Sequence, residues 1–444
     1  MTSAAKSPGV LTPAPASIRL AGQHFAAATL YLLAGAAGVV WIAPALAAGA
    51  YLNPRVAGVT HLFTLGWLTT AIFGALYQFL PVALGVPVRS VVVAQAGFWT
   101  FVPGVALFAV GIATGGMTLR HAGITLVGTG VVLAGANFAA SLARARTRDV
   151  TWAAVALALT FLASTLGLGI LLLHNLHTGF IAATRLRVLA THLHVAIVGW
   201  VLIMIVGISH RLLPMFLLAH GADTRWTRRA LALLAAGVAV LGAGLVTGRR
   251  IPVWTGALLL EGGLACFLRQ AGAFYHARMR RDIDVGLRFA AVALAFLAVS
   301  AVLGPAALAG AGPLARVATA YVAVGLLGGV VLYVAGMFYK IVPLLAWTAR
   351  FRDRMGRQPV PAVAQLYSAR LALVQLGLMT AAIVLLTGGI LAGSVHAARC
   401  GAVLLLAGVL VFALQLARVV LGRPASAPLA LGGVPTRAGR GAPA

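Results

Sequence analysis

Twelve long apolar runs limit what this chain can fold into. They fall at roughly 24–47, 57–84, 91–113, 121–143, 151–173, 188–218, 229–247, 252–275, 286–308, 315–342, 364–391 and 397–420. Runs of about eighteen apolar residues or more match the hydrocarbon thickness of a bilayer when helical. Lipid offers no partner for backbone N–H or C=O, so such a run satisfies its own backbone as a helix. The expected class is all-α, a polytopic membrane protein of about 12 transmembrane helices. Hydrophobic residues make up 61% of the chain and charged residues 9%, which excludes a water-soluble domain of this length.

A motif recurs inside the runs. Thr60-His61-Leu62-Phe63-Thr64-Leu65-Gly66-Trp67 leads through Gly74 and Tyr77-Gln78 to Leu80-Pro81. His192-Leu193-His194 leads through Gly199-Trp200, Gly207 and His210-Arg211 to Leu213-Pro214 with the same spacing. A third copy ends Gly336-Met337-Phe338-Tyr339-Lys340-Ile341-Val342-Pro343, with Gly328-Gly329 in place of Gly-Trp and Ala323 in place of the histidine. Repeats of this kind mark duplicated structural units. The chain divides into three pseudo-symmetric four-helix units, about 24–143, 151–275 and 286–420, with the motif on the second helix of each.

The net charge of +27 does not point to nucleic acid, because the basic residues are spread over loops. With loops assigned alternately to two sides, one side holds only Arg55, Arg120, Arg185, Arg187, Arg249, Arg250, Arg316 and Arg399 of the 33 Lys and Arg. The rest share the side of the termini. The positive-inside rule then expects a multi-pass protein of the cell inner membrane with both termini cytoplasmic and lipid as its surroundings. Residues 1–23 and 421–444 are rich in Ala, Pro and Gly and are expected to form disordered cytoplasmic tails. Cys266 and Cys400 form no CxxC pattern and no disulfide framework.

His61 lies about two turns into its helix, where an imidazole needs a partner. Two readings stand: a hydrogen bond to a neighbouring helix, or axial ligation of haem iron. In the second, Thr64 or Gln95 is the expected acceptor for the other ring nitrogen. Gly66 and Gly74 admit either a neighbouring helix or a flat cofactor. His194 is the repeat partner of His61. His192 sits about 200° away around the helix and is expected to face His174 and His177, whose spacing permits metal chelation. His24 is expected at an interface, as are Tyr77, His210 and Tyr339, which share one repeat position. Asn137 is expected to bond between helices. Glu261, the one acid within a span, is a candidate for proton transfer or for pairing with Arg269.

In architecture and in the phrases His-Leu-Phe-Thr-Leu-Gly-Trp and His-Leu-His-Val-Ala-Ile-Val-Gly-Trp, the chain resembles subunit I of the haem-copper oxidases. It is also similar to the NnrS family of haem- and copper-containing membrane proteins. The resemblance implies haem b, with His61 as a low-spin ligand and His194 as a second ligand or, with His192, as a copper ligand. It further implies a cytochrome c or quinol as redox partner, and a role in electron transfer, haem or copper handling, or response to nitric oxide. The chain departs from the oxidases at the tenth helix, which has no histidine, and at Ala230–Thr247, which lacks the two copper-ligating histidines. A complete haem-copper reduction centre is therefore not expected. The alternative is a cofactor-free transporter or permease, which a repeated fold with glycine-rich, proline-ended helices also suits.

Overall fold

The computed structural model describes residues 15–219 and 223–422. Among the described residues, twelve helices are long and apolar enough to cross a membrane, and no strand occurs. They are α1 (Pro15–Ala47), α2 (Pro54–Ala83), α3 (Val91–Thr114), α4 (Met117–Leu142), α5 (Val150–Thr178), α6 (Arg185–Leu217), α7 (Arg225–Thr247), α8 (Arg250–His276), α9 (Val285–Leu308), α10 (Leu314–Arg354), α11 (Ala369–Ala392) and α12 (Val395–Leu421). The protein is an all-α polytopic membrane protein.

Local signals set the helix ends. Ser90, Asp149, Asp284, Ser368 and Ser394 accept a backbone N–H from the first turn of α3, α5, α9, α11 and α12. Gly115 closes α3 at φ 78°, where a side chain would be strained. Helix α1 begins at Pro15, with Leu20 and Ala21 fully buried. Residues 15–23 are therefore helical, contrary to the disordered tail expected from their composition. The tails 1–14 and 423–444 and His220 lie outside the described residues. Helix α10 runs on past Pro343 to Arg354, about a dozen residues beyond its apolar run.

Within each unit the third and fourth helices form the tightest pair, α3–α4, α7–α8 and α11–α12. Glycines make that approach possible. A Cβ on Gly123, Gly256 or Gly401 would stand 2.3, 2.3 and 2.5 Å from the backbone nitrogen of Phe108, Leu241 and Leu386 respectively. Such backbone contact gives cohesion to helices that gain no hydrophobic drive from lipid. Helix α12 packs back against α1, closing the three units into a ring.

The second helix of each unit forms the centre. Each changes from α to π geometry immediately after the repeat position of the histidine, at Leu62–Thr69, Val195–Leu202 and Val324–Val331. The three π segments fall in register with the sequence repeat. Each touches the other two, so His61, His194 and Ala323 stand at one level around a common axis. Trp67 and Trp200 are buried there. π turns are uncommon and gather at functional sites.

A second threefold feature fixes the opposite end. Asn137 accepts from the Ser90 N–H at 3.0 Å and donates to the Ser90 carbonyl at 2.8 Å. Gln270 accepts from the Thr227 N–H at 3.2 Å and donates to the Asp223 carbonyl at 2.7 Å. Gln415 accepts from the Ser368 N–H at 2.9 Å and donates to the Ser368 carbonyl at 3.0 Å. In each unit a buried amide on the fourth helix thus grips backbone groups where the third helix begins, among them an N–H that the helix leaves unpaired.

Tyr77 and Tyr339 lie inside the bundle, 1% and 2% exposed, and are not lipid-interface anchors. Tyr339 donates to Gln375 at 2.5 Å, Tyr77 packs against Phe138, and His210 sits 3.2 Å from the Thr227 hydroxyl. His24 is likewise buried, its ring against Tyr77 and Phe98. It is not interfacial, because Gly74 opens room for it. At the same end, Arg211 pairs with the α5 cap Asp149 and Lys340 with the α9 cap Asp284. Gln78 and Arg19 hold the corresponding places in the first unit.

Candidate functional site

Three boundaries between units meet at the level of His61, His194 and Ala323. The Nδ1 atoms of His61 and His194 each lie 2.8 Å from the carbonyl one turn back, Ala57 and Ala190. In that arrangement Nδ1 carries the proton and Nε2 is left as the Lewis base. The acceptor for His61 is thus its own helix and neither Thr64 nor Gln95; Gln95 bonds to Gln23 at 2.9 Å. His61 Nε2 makes no hydrogen bond to a described residue, and its ring meets Phe108 edge-on at 5.2 Å.

The glycines near the histidines are filled by aromatic rings of the first helix in each unit. A Cβ on Gly66, Gly199 or Gly328 would fall 2.5, 2.6 and 2.7 Å from Tyr31, Phe161 and Phe296. The Tyr31 hydroxyl is in turn held by the Val102 carbonyl. These positions serve helix packing, and Gly66 does not open onto a cofactor surface.

The residue two places before each histidine position packs on its own first helix. Val59 lies on Gly38, His192 on Gly169 and Tyr321 on Gly304. From there each can reach across to the preceding unit. Tyr321 stacks on His194 with ring centroids 6.1 Å apart, and its hydroxyl lies 3.3 Å from His194 Nε2. His192 lies within electrostatic reach of His61. His192 is thus within electrostatic reach of His61 across the boundary of the first two units, and His194 meets Tyr321 across the next. The two histidines of α6 serve opposite flanks, as their angular separation of about 200° requires.

His61, His192, His194 and Tyr321 are half-buried, and His192 Nδ1 is buried without a hydrogen-bond partner among the described residues. At the third boundary, Ala323 and Val59 are both buried and offer no donor. Two boundaries hold histidine side chains at this level and the third holds none.

Glu261 on α8 is half-buried and within electrostatic reach of Tyr321. It forms no ion pair with Arg269, whose guanidinium lies 4.5 Å over Trp226. Tyr321 thus lies next to His194 and within electrostatic reach of Glu261. His174 and His177 do not converge with His192. His177 sits beside His121, centroids 4.9 Å apart, and His174 beside Phe180 at 5.3 Å. Among the described residues, no three His, Cys, Asp or Glu side chains gather where they could hold a metal ion.

The pairings across boundaries carried no signal in the sequence, but Gly169 and Gly304 could have shown where His192 and Tyr321 pack, since both recur on the first helix of a unit. Compared with known proteins, the chain matches no family model and no curated protein.

Proposed function

We propose that this protein binds haem b at the boundary of its first and second units, with His61 as axial ligand and His192 facing it, and that it serves electron transfer. The observation that carries this reading is the state of His61. Its Nδ1 is committed to the Ala57 carbonyl, its Nε2 is unbonded, and a second imidazole stands across the boundary. Iron-bound histidine commonly has its other ring nitrogen held in this way, which fixes the ring and strengthens its basicity. The donor set fits. A haem bound there supplies one-electron chemistry, and the protein supplies orientation and exclusion of water. His192 replaces His194 as the favoured second ligand, because Tyr321 already engages His194 Nε2.

The second boundary has a different task in this reading. His194, Tyr321 and Glu261 are three groups able to hold a proton, in sequence, within a bundle otherwise poor in them. They would take up or release a proton as the charge at the first boundary changes. Copper, also implied by the resemblance, enters no step, since no set of three donors converges on His192. The resemblance to oxidase subunit I favours a cytochrome c or quinol as redox partner and keeps haem handling and nitric oxide response within the same reading. The loop charges favour the inner membrane with both termini cytoplasmic.

A reduced-minus-oxidised absorption spectrum of the protein purified from haem-replete cells tests this. Sharp b-type bands at about one haem per chain are expected. A chain that carries no haem when replete would leave the cofactor-free transporter as the better reading.

A further inference from the structure

The arginines at the end of the bundle opposite the termini meet no acid there. Of the six acidic residues, Glu261 lies inside α8 and all the others lie at the end that carries the termini. The charge is densest in the second unit. Arg185 opens α6, and Arg249 and Arg250 form the turn into α8. A Cβ on Gly248 would stand 2.4 Å from the Arg187 guanidinium, so that side chain lies against the same turn. Arg187 thereby sits at the C-terminus of α7, where a cation is favoured. Arg185, Arg249 and Arg250 have no such role. They are exposed, they stand at helix N-termini, where the macrodipole disfavours a cation, and they form no ion pair with a described residue.

This placement costs stability twice, through repulsion between like charges and through the helix dipoles. A carboxylate-bearing surface laid over it reverses both signs, since it meets guanidinium groups and positive helix ends together. A field of one sign over a whole end of the molecule also steers an oppositely charged partner toward it. The centre of the patch belongs to α6, one of the three central helices, whereas lipid headgroups ring the perimeter of a bundle. Leu186, beside Arg185 and Arg187, is 49% exposed. An exposed apolar side chain among arginines suits a protein interface, where arginine is enriched. Along α6 the patch stands within two turns of His192.

We infer that the Arg185–Arg249–Arg250 surface is a docking site for a protein with an acidic face. That this protein is the electron carrier rests on the haem reading; the docking itself needs no haem. The test uses the full-length chain in phosphatidylcholine nanodiscs, with Cys266 and Cys400 replaced by serine and a dye on Ala182→Cys, in the exposed loop before Arg185. Two charge forms of one small protein serve as probes: native cytochrome c, which is basic, and succinylated cytochrome c, which is acidic. Docking is read as quenching of the dye by the cytochrome. Saturable quenching by the acidic form is expected, lost on raising the salt to about 0.5 M, with none by the basic form. The variant Arg185→Gln/Arg249→Gln/Arg250→Gln should bind the acidic form on the order of tenfold more weakly, as removal of three exposed charge pairs would give. The variant Arg352→Gln/Arg354→Gln/Arg357→Gln removes the same charge from the opposite end and should bind as the parent does. Equal quenching by the two forms, read on the parent chain alone, would overturn the site, as would equal weakening in the two triple variants. Loss of acidic-form binding in nanodiscs containing phosphatidylglycerol would assign the arginines to lipid headgroups and also overturn it. A chain that docks the acidic form yet carries no haem would keep the site and refute only the electron-transfer reading.

Discussion

The indole N–H of Trp200 donates to the Thr69 hydroxyl at 3.1 Å, across the boundary between the second unit and the first. Thr69 in turn donates to the Thr64 carbonyl, five residues back, at 2.8 Å. Trp67 occupies the matching position in the first unit, yet its buried Nε1 has no partner among the described residues. Moving the arrangement round by one unit puts Val331 where Thr69 stands, and valine cannot accept.

Replacing Thr69 by Val should therefore orphan a second buried indole and lower stability by about 1–3 kcal/mol. Val331→Thr should do the reverse and stabilise by about 1 kcal/mol. Unfolding of the purified variants, followed by tryptophan fluorescence, reads both. Unchanged stability in Thr69→Val would show that the hydrogen bond contributes nothing net.

The histidines on the two flanks of α6 should behave differently. His61→Ala should abolish haem binding, or leave a high-spin spectrum if His192 alone retains the iron. His192→Ala should convert the haem to a high-spin form and keep it bound. His194→Ala should preserve the absorption bands and alter only the pH dependence of the midpoint potential. A loss of haem in His194→Ala equal to that in His61→Ala would assign the second ligand to His194 and refute the pairing with His192.

The amide clamps should be worth more than ordinary surface hydrogen bonds. Gln415→Leu leaves the N–H of Ser368 without its partner and removes one of two donors to the Ser368 carbonyl, which keeps the Ala372 N–H. A cost of about 1–3 kcal/mol is expected from the orphaned N–H. Gln358→Leu, at an exposed position, should stay within about 0.5 kcal/mol. Equal midpoints for the two variants in a thermal unfolding scan would show that the clamp is dispensable.

Asp149 gives a pH signature. Its burial works against ionisation, but the Trp152 amide and the Arg211 guanidinium outweigh that and hold the carboxyl below its ordinary value. A depressed carboxylate stabilises the fold above its unfolded pKa of about 3.9 and loses that contribution as pH falls through the folded value. Asp149→Asn keeps the helix cap and removes the charge. It should lower stability at pH 7 by no more than about 1 kcal/mol, since the pair is partly exposed. The two proteins should converge as the medium is acidified below the ordinary carboxylate range. A difference that grew on acidification would have the wrong sign.

Membrane orientation can be read by labelling. Cys266 is half-buried and Cys400 exposed, so both are first replaced by serine. In that background Ala311→Cys should react with an impermeant maleimide from outside intact cells. Arg354→Cys should react only after permeabilisation. The opposite pattern would invert the orientation proposed from loop charge.

Much of the centre was legible because the repeat keeps its register. The spacing that relates His61 to His194 also relates the two π segments that follow them, and it reaches Ala323 in the third unit. The π geometry itself left no mark, since Leu62–Thr69 reads as an ordinary apolar helix. Asn137 was recognisable as a helix-to-helix bonder. Gln270 keeps the interval from its motif proline that Asn137 keeps from its own, so the repeat could have shown it, whereas loop insertions shift Gln415 relative to the third motif helix. Tyr77 and Tyr339 read as interfacial because a tyrosine near a span end usually is. Only the packing of neighbouring helices shows that their hydroxyls face inward.

The sequence alone determined the twelve helices, their grouping in fours and the level of the histidines along the second helix. These are local or one-dimensional properties: each helix satisfies its own backbone within lipid, and depth follows from counting residues at about 1.5 Å of rise. The tertiary structure decided which side chains meet. Whether His61 faces His192 or His194 depends on how each helix is rotated about its axis and which unit comes next around the ring. Both are set by contacts far apart in sequence, where Gly169 and Gly304 admit His192 and Tyr321, where Gly66 and Gly199 are filled by Tyr31 and Phe161, and where α12 closes on α1.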